Sequence, residues 1–400
     1  MPGSTKRYDI VVVGGGPAGA ITAKTAAEQN AHVLLLEGHR QVGQPVQCTG
    51  LLSVRGFEQA GAQRDVILRE IRGAFAYAPD GRRLAIEKPE VHAYVMDRDR
   101  FDCDLVRQAR ESGVEVRVAA QATGFEAGRL YFRADGREES VKTSIVVGAD
   151  GPNSRVAQCA NLPTPQKLII AIQVTLPHPT EREDYVEVYL SRKIAPNFFA
   201  WVVPAAPGYA RVGLGTDDGK RAREYLDRWL HERFPNRKVV QRNAGAIPIG
   251  PAERTVADGV LLVGDAAGQA KPTSGGGIYT GITCARIAGE VAARAAANGD
   301  VSCQALSEYE RRWRELFENE LKFGMLAHQL FCRVSEEDIN KMFAALDDPQ
   351  ILQHLSEYGD IDYPSFVVKA LLKRPDLWSR LLPAVPFNLD MLFQALKHIT

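Results

Sequence analysis

Two glycine-punctuated turns that each follow an aliphatic run, a central stretch of alternating apolar segments and a helical pattern beyond Ser302 predict an α/β chain. The expected architecture is a Rossmann-type nucleotide-binding domain interleaved with an antiparallel-sheet domain, followed by a C-terminal helical region. The motifs assign residues 1–71, 97–160 and 251–301 to the first domain. Residues 72–96 and 161–250 form the second, and residues 302–400 the helical region. A chain of 400 residues is ample for two or three such parts and a sizeable ligand cavity.

Residues 8–13 read as a buried strand, after which Gly14-Gly15-Gly16-Pro17-Ala18-Gly19 makes a tight turn. Glycines there let the backbone approach a pyrophosphate at the N-terminus of the alanine-rich helix expected over residues 17–29. A second strand, residues 32–36, delivers Glu37 about 20 residues beyond the glycines, where an acid binds ribose hydroxyls and disfavours a 2′-phosphate. This first unit ends near Gly43. Residues 72–86 read as part of a second sheet, turning at Pro79-Asp80-Gly81. A helix over residues 97–112, capped by Asp97 or Asp99, leads to a buried strand at 114–118. Residues 121–124 are expected near the adenosine end. A hairpin over 127–141 precedes a strand at 145–147 and the turn Gly148-Ala149-Asp150-Gly151-Pro152-Asn153-Ser154-Arg155. Arg155 there contacts the cofactor or pairs with Asp150, and pairing is the expectation.

Apolar or alternating runs at 169–175, 185–190, 198–203 and 210–215, separated by Pro and Gly turns, predict an antiparallel sheet. Strand alternation puts Phe198 and Phe199 on opposite faces, so the aromatics of this segment are not expected to share one pocket. Residues 220–233 suit a solvated amphipathic helix. The helical region is expected to break near Pro364, Pro375, Pro383 and Pro386.

The second glycine turn, Gly264-Asp265-Ala266-Ala267-Gly268, follows a strand at 260–263. Asp265 at its end can accept hydrogen bonds from a ribitol chain, which a flavin has and a nicotinamide cofactor lacks, so the dinucleotide is read as FAD. The segment Pro272-Thr273-Ser274-Gly275-Gly276-Gly277 runs into a helix from Ile278, whose amides and dipole could face an anionic flavin edge.

Composition excludes other classes. Lys plus Arg and Asp plus Glu each total 49, which gives no basic surface for nucleic acid. No apolar run reaches the roughly 20 residues of a membrane span and residues 1–7 are polar, so a cytoplasmic location is expected. Cys48, Cys103, Cys159, Cys284, Cys303 and Cys332 lack CxxC spacing, arguing against zinc or iron–sulfur, and most are expected to be buried thiols. The histidines form no HxH or HExxH pattern, so no metal site is expected.

These motifs resemble the geranylgeranyl reductase family, FAD proteins within the p-hydroxybenzoate-hydroxylase-like group. The glycine turn with Glu37, the segment Asp97-Arg98-Asp99-Arg100-Phe101-Asp102, the turn from Gly148 and the Asp265 turn with its following glycines match the broad group in order. Pro45-Val46-Gln47-Cys48-Thr49-Gly50 and Phe199-Ala200-Trp201-Val202-Val203-Pro204 are similar to two narrower family segments. The resemblance covers residues 1–330 by motif and the tail by character. It implies FAD contacts at Gly14, Gly16, Pro17, Ala18, Gly19, Glu37, Arg98, Ala122, Asp265, Gly276, Gly277 and Ile278, with Gln47, Cys48 and Gly50 near the isoalloxazine. Archaeal lipid reductases of the family often carry Cys-Gly-Glu or Cys-x-Glu-Gly where this chain has Cys48-Thr49-Gly50, which leaves the substrate open.

The activity implied is saturation of isoprenoid C=C bonds by reduced FAD, on a prenylated lipid such as an archaeal digeranylgeranylglycerophospholipid. Cys48 is the expected proton source, directly or through water, with packing beside the ring as the alternative. Trp201 and Phe199 are expected to wall the alkyl cavity, although Trp201 equally suits the sheet core. Reduced ferredoxin and NAD(P)H both remain open as electron donor. The tail segments Leu371-Leu372-Lys373-Arg374, Trp378-Ser379-Arg380-Leu381-Leu382 and Met391-Leu392-Phe393 suit peripheral membrane contact or packing on the body. An FAD-dependent aromatic monooxygenase and a noncatalytic flavin-containing lipid-binding protein fit the same motifs.

Overall fold

The computed structural model describes residues 6–165 and 167–384; Pro386 and Met391-Leu392-Phe393 lie outside them. Its first sheet has eight strands. Arg7–Val13 lies between Val33–Leu36 and Arg137–Gly148, both parallel to it, and Val260–Leu262 continues the parallel set beyond Arg137–Gly148. Val33–Leu36, Val260–Leu262 and the carboxyl-terminal parts of the other two strands are runs of buried aliphatics because helices cover the sheet. Pro17–Glu28 packs on Ile278–Asn298 and Arg98–Glu111, burying alanine-rich surface between them.

The register decides where the chemistry falls. Val13 pairs with both Leu36 and Gly148, and Gly148 pairs with Leu262, so four strands end at one edge. The Gly14 turn, Glu37, Ala149-Asp150 and Gly264-Asp265 therefore emerge together at the carboxyl ends, where open α/β sheets bind ligands.

A second sheet of seven strands runs Gln241–Ile249, Lys167–Pro177, Tyr209–Thr216, Ala200–Pro204, Tyr185–Tyr189, Gly73–Tyr77, Arg83–Glu87. It is antiparallel except where Tyr185–Tyr189 runs parallel to Gly73–Tyr77. Ala222–Arg233 covers one face with Tyr225, Leu226 and Trp229. A third, three-stranded sheet of Leu51–Ser53, Ala93–Met96 and Ile67–Ile71 links the two and was not anticipated, because its short strands lie far apart in sequence. Among the described residues five α-helices follow: Cys303–Phe331, Glu336–Leu346, Pro349–Tyr358, Ser365–Leu372 and Pro375–Leu381.

Several expectations change. The strand at 114–118 is Glu115–Arg117, half-buried at a sheet edge, with Val118 exposed. Asp97 caps Arg98–Glu111 by accepting from the Arg100 amide. The Arg155 guanidinium does not pair with Asp150. That carboxylate accepts instead from the backbone amides of Arg155 and Val156 and the Ser154 hydroxyl, while the Arg155 Nε donates to the Thr123 carbonyl. Only Cys284 is a buried thiol; Cys103 is exposed and the other four are intermediate. In the tail, Leu371, Leu377 and Leu381 turn inward against Ile351, as a packed helical cluster does. Among the described residues no helix is long and apolar enough to cross a membrane.

Candidate active site

One cavity of about 1110 Å³ runs from the strand ends of the first sheet to the inner face of the second. That exceeds the roughly 300–1,000 Å³ of a pocket for one drug-sized ligand. At its nucleotide end Gly14 adopts a left-handed φ of +108°, and a Cβ there would fall 2.2 Å from the Ala149 carbonyl oxygen. A Cβ on Gly19 would fall 1.9 Å from the Gly14 oxygen, so the turn closes only with both glycines. Gly16 has nothing within 4 Å of its Cβ position, leaving the start of Pro17–Glu28 open to an anion. The Glu37 Oε2 accepts from the Gly15 amide at 2.7 Å, and Oε1 accepts from the His39 amide at 2.7 Å. The carboxylate is thereby held at the cavity wall, which Ala122 and Arg155 also line.

Farther along, Asp265 sits in the short turn Gly264–Ala267, and a Cβ on Gly277 would lie 2.9 Å from its Oδ1. Its remaining open surface faces the cavity, and burial pushes its carboxyl up to about 6 against the opposing pull of Arg98. Beside it the Lys271 Nζ donates to the Asp362 Oδ1 at 2.9 Å and to the Ile361 carbonyl at 2.6 Å. This ion pair is almost fully buried, with 7% and 2% of the side chains exposed. It brings the loop before Ser365–Leu372 into the cavity wall.

The segment holding Cys48 is clamped from the second sheet. Gln173 donates to the Cys48 carbonyl and accepts from the Thr49 hydroxyl, each at 3.0 Å, and Asn243 donates to the Val46 carbonyl at 2.7 Å. The Cys48 Sγ accepts from the Gly50 amide at 3.3 Å. Arg98 lies beside this sulfur, bound through its Nη2 to both oxygens of Asp102 at 2.8 Å. Burial works against the Arg98 cation, but Asp102 and the Cys48 sulfur more than offset it and hold the guanidinium above its ordinary value.

The other half of the cavity is apolar, lined by Ala171, Val186, Val203, Phe198, Phe199 and Trp201. The Trp201 Nε1 donates to the Gln173 Oε1 at 3.3 Å, which satisfies its polar atom away from the ring face. Phe198 and Phe199 do share this pocket, stacked at 4.4 Å between centroids. Both precede the strand Ala200–Pro204, so strand alternation does not govern them.

Of the residues singled out in the sequence, all line the cavity except Gly19 and Gly50, which shape the chain's own path. Sequence reasoning missed Phe198, Gln173, Asn243, Arg211, Lys271 and Asp362. Lys271 had a signal, as the one charge between the two glycine-rich segments; Asp362 had none. Among the described residues no cluster of His, Cys, Asp or Glu suits a metal. The donor set fits FAD: an anion-ready helix start, a carboxylate for ribose, a second, partly enclosed carboxylate farther along and room for a ring system next to an apolar chamber.

The FAD binding domain family matches residues 7–322. Digeranylgeranylglycerophospholipid reductase from Methanosarcina acetivorans is 35% identical over 363 residues, covering 85% of this chain and 89% of that protein. Digeranylgeranylglycerophospholipid reductase 2 from Methanopyrus kandleri is 37% identical over 368 residues, covering 86% and 92%. The crystal structure of a geranylgeranyl bacteriochlorophyll reductase-like protein from Thermoplasma acidophilum aligns with a TM-score of 0.83 at 27% identity, over 96% of this chain and 100% of that one. The chain belongs to the digeranylgeranylglycerophospholipid reductase family of FAD-binding proteins.

Proposed function

We propose that this protein saturates isoprenoid C=C bonds of geranylgeranyl chains, with digeranylgeranylglycerophospholipid as substrate. The observation that carries the reading is the single continuous cavity, with glycine turns and carboxylates for FAD at one end, an aromatic and aliphatic chamber at the other, and Cys48 between them. Kinship with named lipid reductases supports it.

When bound, reduced FAD supplies the hydride. The residues of the chain do the rest. The Gly14–Gly16 backbone and the helix start hold the pyrophosphate, Glu37 takes ribose hydroxyls, and Asp265 accepts from the ribitol. Trp201, Phe199 and Val203 hold the alkyl chain and exclude water. An isolated alkene has no carbonyl to polarise it, so a proton must reach the second carbon as hydride reaches the first. Cys48 Sγ is the group we assign to deliver it, from a segment fixed by Gln173 and Asn243.

The test is anaerobic reduction of the flavin with dithionite, then addition of digeranylgeranylglycerophospholipid and mass spectrometry of the product. A gain of about two mass units per bond, with reoxidation of the flavin, is expected of a reductase. Oxygen-dependent hydroxylation of an aromatic without lipid turnover would overturn the reading. Cys48→Ser is expected to retain FAD and lose alkene reduction.

A further inference from the structure

We propose that Arg211 is the positioning residue for proton delivery by Cys48: it fixes the Cys48-Thr49-Gly50 turn and supplies the positive charge that stabilises the thiolate left behind. The inference rests on the assignment of Cys48 above. Arg211 lies on the strand Tyr209–Thr216, and its Nη1 donates to the carbonyls of Thr49 and Met96. It thereby ties the cysteine turn to the end of the strand Ala93–Met96. Gly50 makes the room for this. Its φ is +83°, and a Cβ there would fall 2.7 Å from the Arg211 Nη1 and 2.5 Å from the Met96 oxygen.

The charges around the sulfur separate two arginines with different duties. Arg98 is engaged by Asp102 in a forked pair, so the charge it presents to the Cys48 sulfur is shared with that carboxylate. Arg211 has no carboxylate within ion-pair distance among the described residues. Burial pulls its guanidinium below its ordinary value and the Arg98 cation adds to that pull, while the Cys48 sulfur and then Asp97 act against it. The groups acting on the turn are thus Arg98 with Asp102 behind it, Arg211, and Asp97 at the cap of Arg98–Glu111.

In the step itself the S–H bond of Cys48 breaks and a C–H bond forms at the carbon opposite the one that accepts hydride. The S–H electron pair stays on sulfur as a thiolate, and water later restores the proton. In an apolar chamber that anion is costly unless a cation is already in place. Arg211 is such a cation beside Arg98, and its two carbonyl contacts keep it from swinging away.

The experiment compares Arg211→Gln, which keeps a hydrogen-bond donor without charge, with Arg211→Lys, which keeps the charge. Flavin content and thermal unfolding identify variants that fold. In the holoenzyme, Arg211→Gln should lower kcat for alkene reduction by about 10- to 100-fold with little change in the KM for lipid. It should slow reoxidation of the reduced flavin by lipid in a single turnover by a similar factor. Arg211→Lys should recover most of both. Equal losses in the two variants would make the role purely structural and overturn the proposal. Full activity of Arg211→Gln beside an inactive Cys48→Ser would overturn Arg211 alone. A fully active Cys48→Ser would remove the Cys48 assignment and this proposal with it.

Discussion

Replacing Asp265 by Asn should stabilise the FAD-free protein while weakening its hold on FAD. The carboxyl is enclosed by the Gly264–Ala267 turn and by Gly277, and burial raises it from 3.8 to about 6. The folded chain therefore binds this proton more tightly than the unfolded chain does. The stability so contributed is fully present below about pH 4 and is lost as pH rises through about 6. At neutral pH the ionised group costs up to about 3 kcal/mol, since each tenfold gain in proton affinity on folding corresponds to about 1.4 kcal/mol. Urea denaturation of the FAD-free proteins at about pH 4.5 and 7.5 measures it. Asp265→Asn should gain up to that amount over the parent at the higher pH and much less at the lower. Titration with FAD should show binding weakened about 10- to 100-fold, the scale of one lost charge-assisted hydrogen bond. A stability difference that does not change with pH would refute the burial argument, and unchanged FAD affinity would refute the ribitol contact.

Gly19→Ala should give folded protein that purifies without yellow colour, because the added Cβ would fall 1.9 Å from the Gly14 oxygen and push the turn out of shape; absorbance near 450 nm against circular dichroism checks it. Lys271→Met should destabilise the protein by about 1–3 kcal/mol, because it removes one of the two cations of the buried Asp362 carboxylate and leaves only Arg55, 3.5 Å from its Oδ2. Adding Asp362→Leu should recover most of that loss, and equal unfolding midpoints for the single and double variants would count against the pair.

Much of the parallel sheet was legible because its signals are local. A β-branched run, a glycine turn and an acid at fixed spacing specify a strand, a helix start and a ribose contact together, and residues 8–37 fold as that pattern predicts. The antiparallel segments were also found, since period-two alternation marks them. What escaped depends on distance along the chain. The sheet of Leu51–Ser53, Ala93–Met96 and Ile67–Ile71 pairs segments too short to carry a period of their own. The Arg211 clamp and the Lys271–Asp362 pair join residues 162 and 91 positions from their partners, which no window of sequence contains. The Phe198–Phe199 error has a local cause: alternation was extended two residues before the strand begins.

The contribution of Ile361 and Asp362 to the cavity wall imposes an order on assembly. Lys271 leaves the ribosome 91 residues before Asp362, roughly 5 to 20 seconds at ordinary elongation rates. During that interval the parallel sheet and its glycine turns can form, but the chamber stands open on the side the late loop will close. Newly made protein thus passes through a stage in which the unfinished cavity meets solvent and the Lys271 ammonium lacks its Asp362 partner. Cofactor arriving then would find an entrance wider than the one in the finished enzyme.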